Sequence, residues 1–428
     1  MWHGEQQTGR QVGRKRLETG QQMSNPAKIG MLLAISMAIA IGGVHFHVVG
    51  AMMKPLGDAY GWSRGDIAFA LTIASFVNPF TNIAAGMLAD RYAVRTIAIP
   101  GIFAFALGTA SLGLITSNIW TWYLGYVVFT VAGSGISSVI FTKLVVQHFT
   151  KRRGLALATS LAGSGVLVST VPHIVLTLEE MAGVNNVYPL IGLISFILLI
   201  IPCWLFLPRQ APLPALAPQS SGNAPAPGGW RVIIASALLW KLGVAFLLVA
   251  AAIGTFIVHL QAMLVDGGLS RADAASVALF VGPAMIVGRL GTGMLYDILP
   301  TRLVTSAAFA LPALACLWLL LLPLDFTSAA LLAVLIGLGM GSEVDALAYL
   351  SSRYFGAKNY GLVFGLLISV YGFAIGMASW LVGMMFDATG NYVLVLTSLC
   401  VGIGGAMLLI LSLGPPPRLD ELDQPLAR

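Results

Sequence analysis

The chain has 428 residues, of which 57% are hydrophobic and only 9% charged, with a formal net charge of +6. Soluble domains carry about a quarter charged residues, so this composition cannot cover a water-facing surface and a soluble globular protein is excluded. The positive charge reads as topology signal and attraction to anionic lipid headgroups, and gives no reason to invoke nucleic acid.

Twelve apolar stretches run through the chain, predicted at 29–53, 64–88, 96–116, 119–143, 154–177, 187–207, 232–263, 272–296, 303–323, 327–350, 361–386 and 391–413. Each is long enough to cross ~30 Å of hydrocarbon at ~1.5 Å of helix rise per residue. The expected fold class is therefore an all-α membrane protein of twelve transmembrane helices. Of the 23 basic residues, 17 fall on one side when both termini are placed in the cytoplasm, and only Lys54, Arg64 and Arg271 fall on the other. That asymmetry puts both termini inside, as expected for a protein of a cell (inner) membrane.

In chain order, residues 1–28 form a basic tail expected to be disordered. It lacks the cleavage site of a signal peptide, and Met23 stands as an alternative start to Met1. The N-terminal bundle is expected at 29–207. His45 and His47 lie in the first span, each either an interfacial hydrogen-bonding residue or a group that pairs with an anion or relays a proton. Ser63 begins the second span with capping spacing to Asp66. Asn78-Pro79 interrupts that span's amide ladder and can present Asn78 to a central cavity. Asp90, Arg91 and Arg95 follow at its inner end, where charge-assisted contacts can hold two bundles closed. Residues 208–230, rich in Pro and Ala, read as a flexible cytoplasmic linker. The C-terminal bundle is expected at 231–413, with a tail at 414–428.

The second half repeats the first. Ser63-Arg64-Gly65-Asp66 recurs 207 residues later as Ser270-Arg271-Ala272-Asp273, and Gly86-Met87-Leu88-Ala89-Asp90 recurs at the same offset as Gly293-Met294-Leu295-Tyr296-Asp297. Asp297 and Arg302 therefore join the candidate gate. A weaker third copy, Gly383-Met384-Met385-Phe386-Asp387, ends the eleventh span on the opposite face. Parallel six-helix repeats joined by a linker give two pseudo-symmetric bundles with a substrate site between them at mid-membrane.

Within the C-terminal bundle, Arg289 lies at bilayer depth, where an Arg costs ~2.5–3.5 kcal/mol on insertion scales and must face a cavity or a partner. Its planar fork suits a substrate carboxylate; the alternative is a structural ion pair. Glu343 and Asp345 reach about the same depth on the tenth span. Two residues apart, they point to roughly opposite faces, so one alone can meet Arg289 and the other needs a different partner. Either carboxylate is a candidate for proton coupling. His259 in the seventh span joins Arg289, Asn78 and His47 as a candidate substrate contact.

Three cysteines, Cys203, Cys316 and Cys400, show no metal-ligand spacing, and no phosphate loop, nucleophile triad or cofactor fingerprint occurs. No metal, no cofactor and no enzymatic activity are expected.

These motifs resemble the major facilitator superfamily. Gly86 to Arg95 matches that superfamily's loop Gly-x-x-x-Asp-Arg-x-Gly-x-Arg, with Ala93 in place of the second glycine. His148-Phe149-Thr150-Lys151-Arg152-Arg153-Gly154-Leu155-Ala156 is similar to the fifth-span signature of the monocarboxylate transporter and oxalate:formate antiporter branch. In this chain Ala158 replaces the branch's usual Gly, Ile41 stands where the first span usually has an acid, and Met285 stands four residues before Arg289 where the branch has Asp. The resemblance implies a secondary transporter working by alternating access, moving a small organic anion such as a monocarboxylate with a proton, and it implies an anion-binding role for an eighth-span Arg such as Arg289. The rival expectations are an exporter of amphiphilic compounds, which needs an apolar cavity and no essential Arg, and a membrane sensor without transport, which needs a folded soluble domain. A monomer suffices for this architecture.

Overall fold

The computed structural model describes residues 25–138, 140–141, 144–145, 153–209 and 233–414. Among these, twelve helices are long and apolar enough to cross a membrane. Residues 1–24, most of the 208–230 linker, 415–428, Lys143 and residues 148–152 of the fifth-span signature lie outside the described residues.

The edges deviate where local chemistry says they should. Asn25, the first described residue, is already helical, so residues 25–28 of the predicted tail belong to the first helix. The first span then continues to Tyr60 in two pieces, Asn25–Gly42 and Val44–Tyr60, joined at Gly43. The seventh begins at Ala237, after Ser236. Ser63 and Ser270 cap the second and eighth spans as expected, accepting from the N–H groups of Asp66 and Asp273 at 3.1 and 3.0 Å.

The tenth and eleventh spans share one helical run, Phe326–Thr389. Tyr371 nevertheless donates to Glu343, 28 residues earlier. On a straight helix those positions would stand ~42 Å apart, so the run folds back between them.

An even number of spans returns the chain to the face on which it began. The terminal face carries Asn25 and Gly414; the far face carries the turns at Gly61, Gly183, Gly268 and Gly390, which all have positive φ. Each half has its own apolar core. One cluster is built from residues between Met31 and Leu207 and the other from residues between Ile233 and Leu413, and only Val258, Ala262 and Val168 cross into the other half's cluster. Large exposed side chains such as Leu107, Trp120, Ile201, Val401 and Leu408 face outward, where lipid covers them.

The halves meet through small residues. In the first span, a side chain at Gly50 would strike the backbone of Ile257 and Val258. In the eleventh, one at Gly376 would strike Ser75 and Leu71, and in the eighth, one at Gly282 would strike Gly165 and Ser169. Polar contacts reinforce these approaches: Thr72 Oγ1 donates to the Gly376 carbonyl at 2.7 Å, and Ser169 Oγ accepts from Gly282 N–H at 3.0 Å. Such contacts let helices pack without apolar driving force between them.

Candidate functional site

The eighth and tenth spans approach closely because neither carries bulk at the crossing. A side chain at Gly288 would meet the backbone of Leu338, and one at Gly341 would meet the Met285 carbonyl and the Arg289 N–H. Thr292 Oγ1 donates to Ser342 Oγ at 2.6 Å, and Ser342 Oγ reaches the Leu338 carbonyl at 2.7 Å. This packing brings Arg289 beside the tenth span.

Arg289 Nε lies 3.3 Å from Asp345 Oδ2. The contact is a charge pair without hydrogen-bond geometry, since Nε has no hydrogen-bond partner. Asp345 forms the ion pair with Arg289, while Glu343 bonds to a different partner. Glu343 is 2% exposed; its Oε1 accepts from the Tyr371 hydroxyl and its Oε2 is buried without a partner. No local pattern in the sequence points to Tyr371, because only the fold-back of the tenth and eleventh spans brings it to Glu343. A guanidinium with a half-satisfied partner, beside a buried acid with one free oxygen, can accept an anion and a proton in the same region.

The two first-span histidines diverge, as positions two apart on a helix must. His45 packs within its own half against Phe46 and Phe129, with ring centroids 4.3 and 5.0 Å away. His47 faces the other half and lines a small cavity there. Both ring nitrogens of each histidine are buried without a hydrogen-bond partner. Asn78 is half-buried in the second span and its carbonyl accepts from Thr81 Oγ1 at 2.9 Å. Two positions before Asn78, Phe76 packs edge-on against Phe373 of the eleventh span at 5.3 Å.

His259, a candidate substrate contact, is placed by the structure in a hydrogen-bonded network. It is fully buried: Nε2 is 2.9 Å from the Ser379 carbonyl and Nδ1 is 3.3 Å from the Tyr392 hydroxyl. Both nitrogens are engaged because the ring belongs to a charged network that closes the far face between the halves. Arg64, at the start of the second span, sits 2.7 Å from Asp266 at the end of the seventh and 2.5 Å from the Tyr392 hydroxyl, with its guanidinium 3.9 Å above the Phe386 ring. Lys54 shares Asp266 at 2.7 Å. Asp387, of the third Gly-x-x-x-Asp copy, accepts from Arg64 N–H at 3.1 Å and Gly65 N–H at 2.8 Å, so it caps the second span from the opposite half. A side chain at Gly65 would meet that carboxylate, and one at Gly383 would meet Gly65. Arg271, the repeat counterpart of Arg64, grips Glu179 of the fifth span with both terminal nitrogens. Burial pushes the Tyr392 hydroxyl above its ordinary pKa, against the pull of Arg64.

Lys54, Arg64 and Arg271 are the three exceptions in the basic-residue count, and each is paired with an acid of the other half. Their departure from the basic-residue asymmetry is the signal in the sequence, and nothing local to Asp266 or Glu179 marks them as the partners.

On the terminal face the outcome is mixed. The side chains of Asp90 and Asp297 lie outside the described residues. Arg91 and Arg302 are exposed, and Arg95 lies 4.4 Å above the Trp204 ring of its own half. Among the described residues none of these three arginines forms a salt bridge. No group of His, Cys, Asp or Glu among the described residues is arranged to hold a metal ion.

Twelve spans in two like halves, with an arginine and two carboxylates inside the spans, define a transporter architecture. The family model of the Major Facilitator Superfamily matches residues 31–379, and the chain belongs to that superfamily. It is 24% identical over 391 residues to the MFS-type transporter YcxA of Bacillus subtilis, covering 89% of this chain and 94% of that protein. It is 25% identical to monocarboxylate transporter 10 of Danio rerio over 352 residues, 78% of this chain and 66% of that one. Among solved structures, the nucleoside transporter NupG superposes with a TM-score of 0.72 at 10% identity, covering 93% of this chain and 100% of that one. A bacterial homolog of the human lysosomal transporter Spinster, in an inward-facing and unoccupied conformation, superposes at 0.65 with 16% identity over 91% of this chain and 94% of that one. These neighbours speak for the fold alone.

Proposed function

We propose that the chain is a secondary transporter that carries a small organic anion, monocarboxylate-like, together with protons, by alternating access. The observation that carries this reading is the Arg289 and Asp345 pair at 3.3 Å, a cation at bilayer depth held by only part of one carboxylate. An incoming carboxylate can take the guanidinium fork in bidentate fashion, and Asp345 is then free to release or rebind a proton. Glu343, buried against Tyr371, is the second proton candidate, and Asn78 and His47 are further substrate contacts. His259 is reassigned to the closure of the far face.

With the termini in the cytoplasm of a cell (inner) membrane, the far face is external and the described arrangement is closed to the outside. Asp90, Arg91, Arg95, Asp297 and Arg302 then form the counterpart gate, engaged when the halves rock to the other side. The amphiphile exporter needs no essential Arg, so Arg289 separates the two readings.

The test is uptake of a labelled carboxylate panel into proteoliposomes, with and without an imposed pH gradient. We expect uptake driven by the gradient and lost on substitution of Arg289. Uptake of neutral or cationic amphiphiles that ignores Arg289 would replace this reading with the exporter.

A further inference from the structure

The terminal face carries a cavity that the transport reading does not use. The spaces beside His47 and beneath Lys54 hold about 30 Å³ each, room for a single water, whereas a cavity of about 400 Å³ opens beside the third and sixth spans. That volume falls within the ~300–1,000 Å³ of small-ligand pockets. Its lining includes Ala27 of the first span, Arg95 of the third, and Trp204, Leu205 and Arg209 around the end of the sixth, so its walls belong to the N-terminal half alone.

Local sequence brings the two arginines there. Pro208 disfavours a helical residue before it, so the sixth span stops at Phe206, Leu207 is extended and buried, and Arg209 is left exposed at the rim. Arg95 stands in the first turn of the third span, which has no side-chain cap and no acid in that turn, so the positive helix end adds to its charge. Its guanidinium lies 4.4 Å above the Trp204 ring. A ring that takes the face of a guanidinium leaves the N–H groups in its plane to a ligand. The two arginines repel each other, no carboxylate among the described residues lines the cavity, and neither arginine forms a salt bridge among them. An anion would offset that repulsion.

The cavity is also continuous with the lipid-facing surface. Ile197, Ile201, Trp204 and Leu205 recur at helical spacing on one face of the sixth span and are all exposed, and the last two line the cavity itself. Trp204 stands where aromatic residues mark the interface between hydrocarbon and headgroups.

We propose that this cavity binds the phosphodiester headgroup of an anionic lipid in the leaflet on the terminal face, held by Arg95 and Arg209, with an acyl chain running along the exposed face of the sixth span. The chemistry recognised is a phosphate anion. A lipid is favoured over free phosphate because the arginines and the apolar face adjoin.

The test is native mass spectrometry of the purified full-length chain in detergent, titrated with phosphatidylglycerol, with phosphatidylcholine of the same acyl chains, or with inorganic phosphate. Phosphatidylglycerol is expected to bind about ten-fold more tightly than phosphatidylcholine, whose choline cation offsets its phosphate, and about ten-fold more tightly than inorganic phosphate, which has no chain. Arg95→Gln and Arg209→Gln are each expected to lower phosphatidylglycerol affinity about ten-fold, the loss of one charge-assisted contact, and to leave phosphatidylcholine unchanged. Arg209 is exposed beyond the end of its span, so its variant decides the matter should Arg95→Gln fold poorly. Lys241→Gln, which removes an exposed base near the terminal-face end of the seventh span, is expected to change neither affinity. Equal affinity for the two lipids, an Arg209→Gln protein that binds like the parent, or equal losses in Lys241→Gln and the arginine variants overturns the proposal. Inorganic phosphate bound as tightly as phosphatidylglycerol overturns the lipid assignment.

Discussion

Arg64 and Arg289 are both largely buried arginines paired with a carboxylate, and they are held in opposite ways. Arg64 is saturated: Asp266, the Tyr392 hydroxyl and the Phe386 ring all take its guanidinium, its own N–H is capped by Asp387, and every one of those partners belongs to the other half. Arg289 has a single ion-pair contact, through Nε, to Asp345 of its own half. A charge saturated across a moving interface reports and stabilises one conformation. A charge left incomplete inside one half stays available to a ligand in every conformation. The contrast separates gate from site by bonding pattern, although both are arginines beside acids.

The largest effect should come from the incomplete charge. On the proposed reading, Arg289→Gln is expected to reduce carboxylate binding by more than about 100-fold, the scale of a lost charge-assisted bidentate contact. Arg289→Lys keeps the charge but not the planar fork, and should be strongly weakened though measurably better than Gln. Thermal stability must be followed alongside uptake, because Asp345 loses its partner. A stable Arg289→Gln protein that transports like the parent would erase the distinction between the two arginines.

Glu343→Gln comes next. The amide retains the shape and a contact to Tyr371 but cannot carry a proton, so substrate exchange across the membrane should persist while accumulation driven by a pH gradient is lost. The matching Asp345→Asn variant decides which acid couples. If both variants fold and accumulate substrate normally, neither carboxylate carries the proton; if both fail to fold, the pair is structural.

Much of this is legible in the amino-acid sequence, and physics decides which part. The bilayer imposes one length and one chemistry on every span, so twelve crossings can be read from apolar runs, and the repeats at Ser63 and Ser270 locate matching helix starts. Arg289 and its acids were legible by depth, since a charge there needs a partner. Which acid it takes was not, because helix periodicity says only that Glu343 and Asp345 face apart. Tyr371 is reached only through the fold-back, and no local pattern joins residues 28 apart. The partners of His259 are not legible, because depth in a span does not reveal whether a ring faces a cavity or a charged network. The role of Asp387 was half-visible: its motif was seen, while the helix end it caps lies in the other half.

The saturated charge offers a smaller, conformational effect. Asp387→Asn removes the carboxylate that accepts from two N–H groups of the second span, and Gly65→Ala places a methyl 2.8 Å from that carboxylate. Each should shift the resting population toward an opened far face by about 10- to 100-fold, the equivalent of one charge-assisted hydrogen bond. The readout is maleimide labelling of a cysteine placed at Ala51, which lines the cavity beneath Lys54 and Arg271. Labelling equal to the parent background would reduce Asp387 to an ordinary helix cap.

The smallest effect is expected at the repeat counterpart, and it tests whether repetition in sequence means equivalence in function. Arg271 grips Glu179 with both nitrogens, yet its side chain is 42% exposed where that of Arg64 is 14% exposed. An exposed pair contributes ~0–1 kcal/mol, screened by salt, so Arg271→Gln should change Ala51 labelling by less than about five-fold, and less still at high ionic strength. Arg64→Gln, which empties a desolvated network and leaves Asp266 to Lys54 alone, should exceed it clearly at any salt concentration. The position after each arginine explains the inequality. Gly65 lets Asp387 approach the backbone of the second span, whereas Ala272 carries the methyl that Gly65 lacks at the matching position of the eighth span. Equal effects of the two substitutions would mean that the closure is shared symmetrically between the halves, and that solvent exposure does not rank its members.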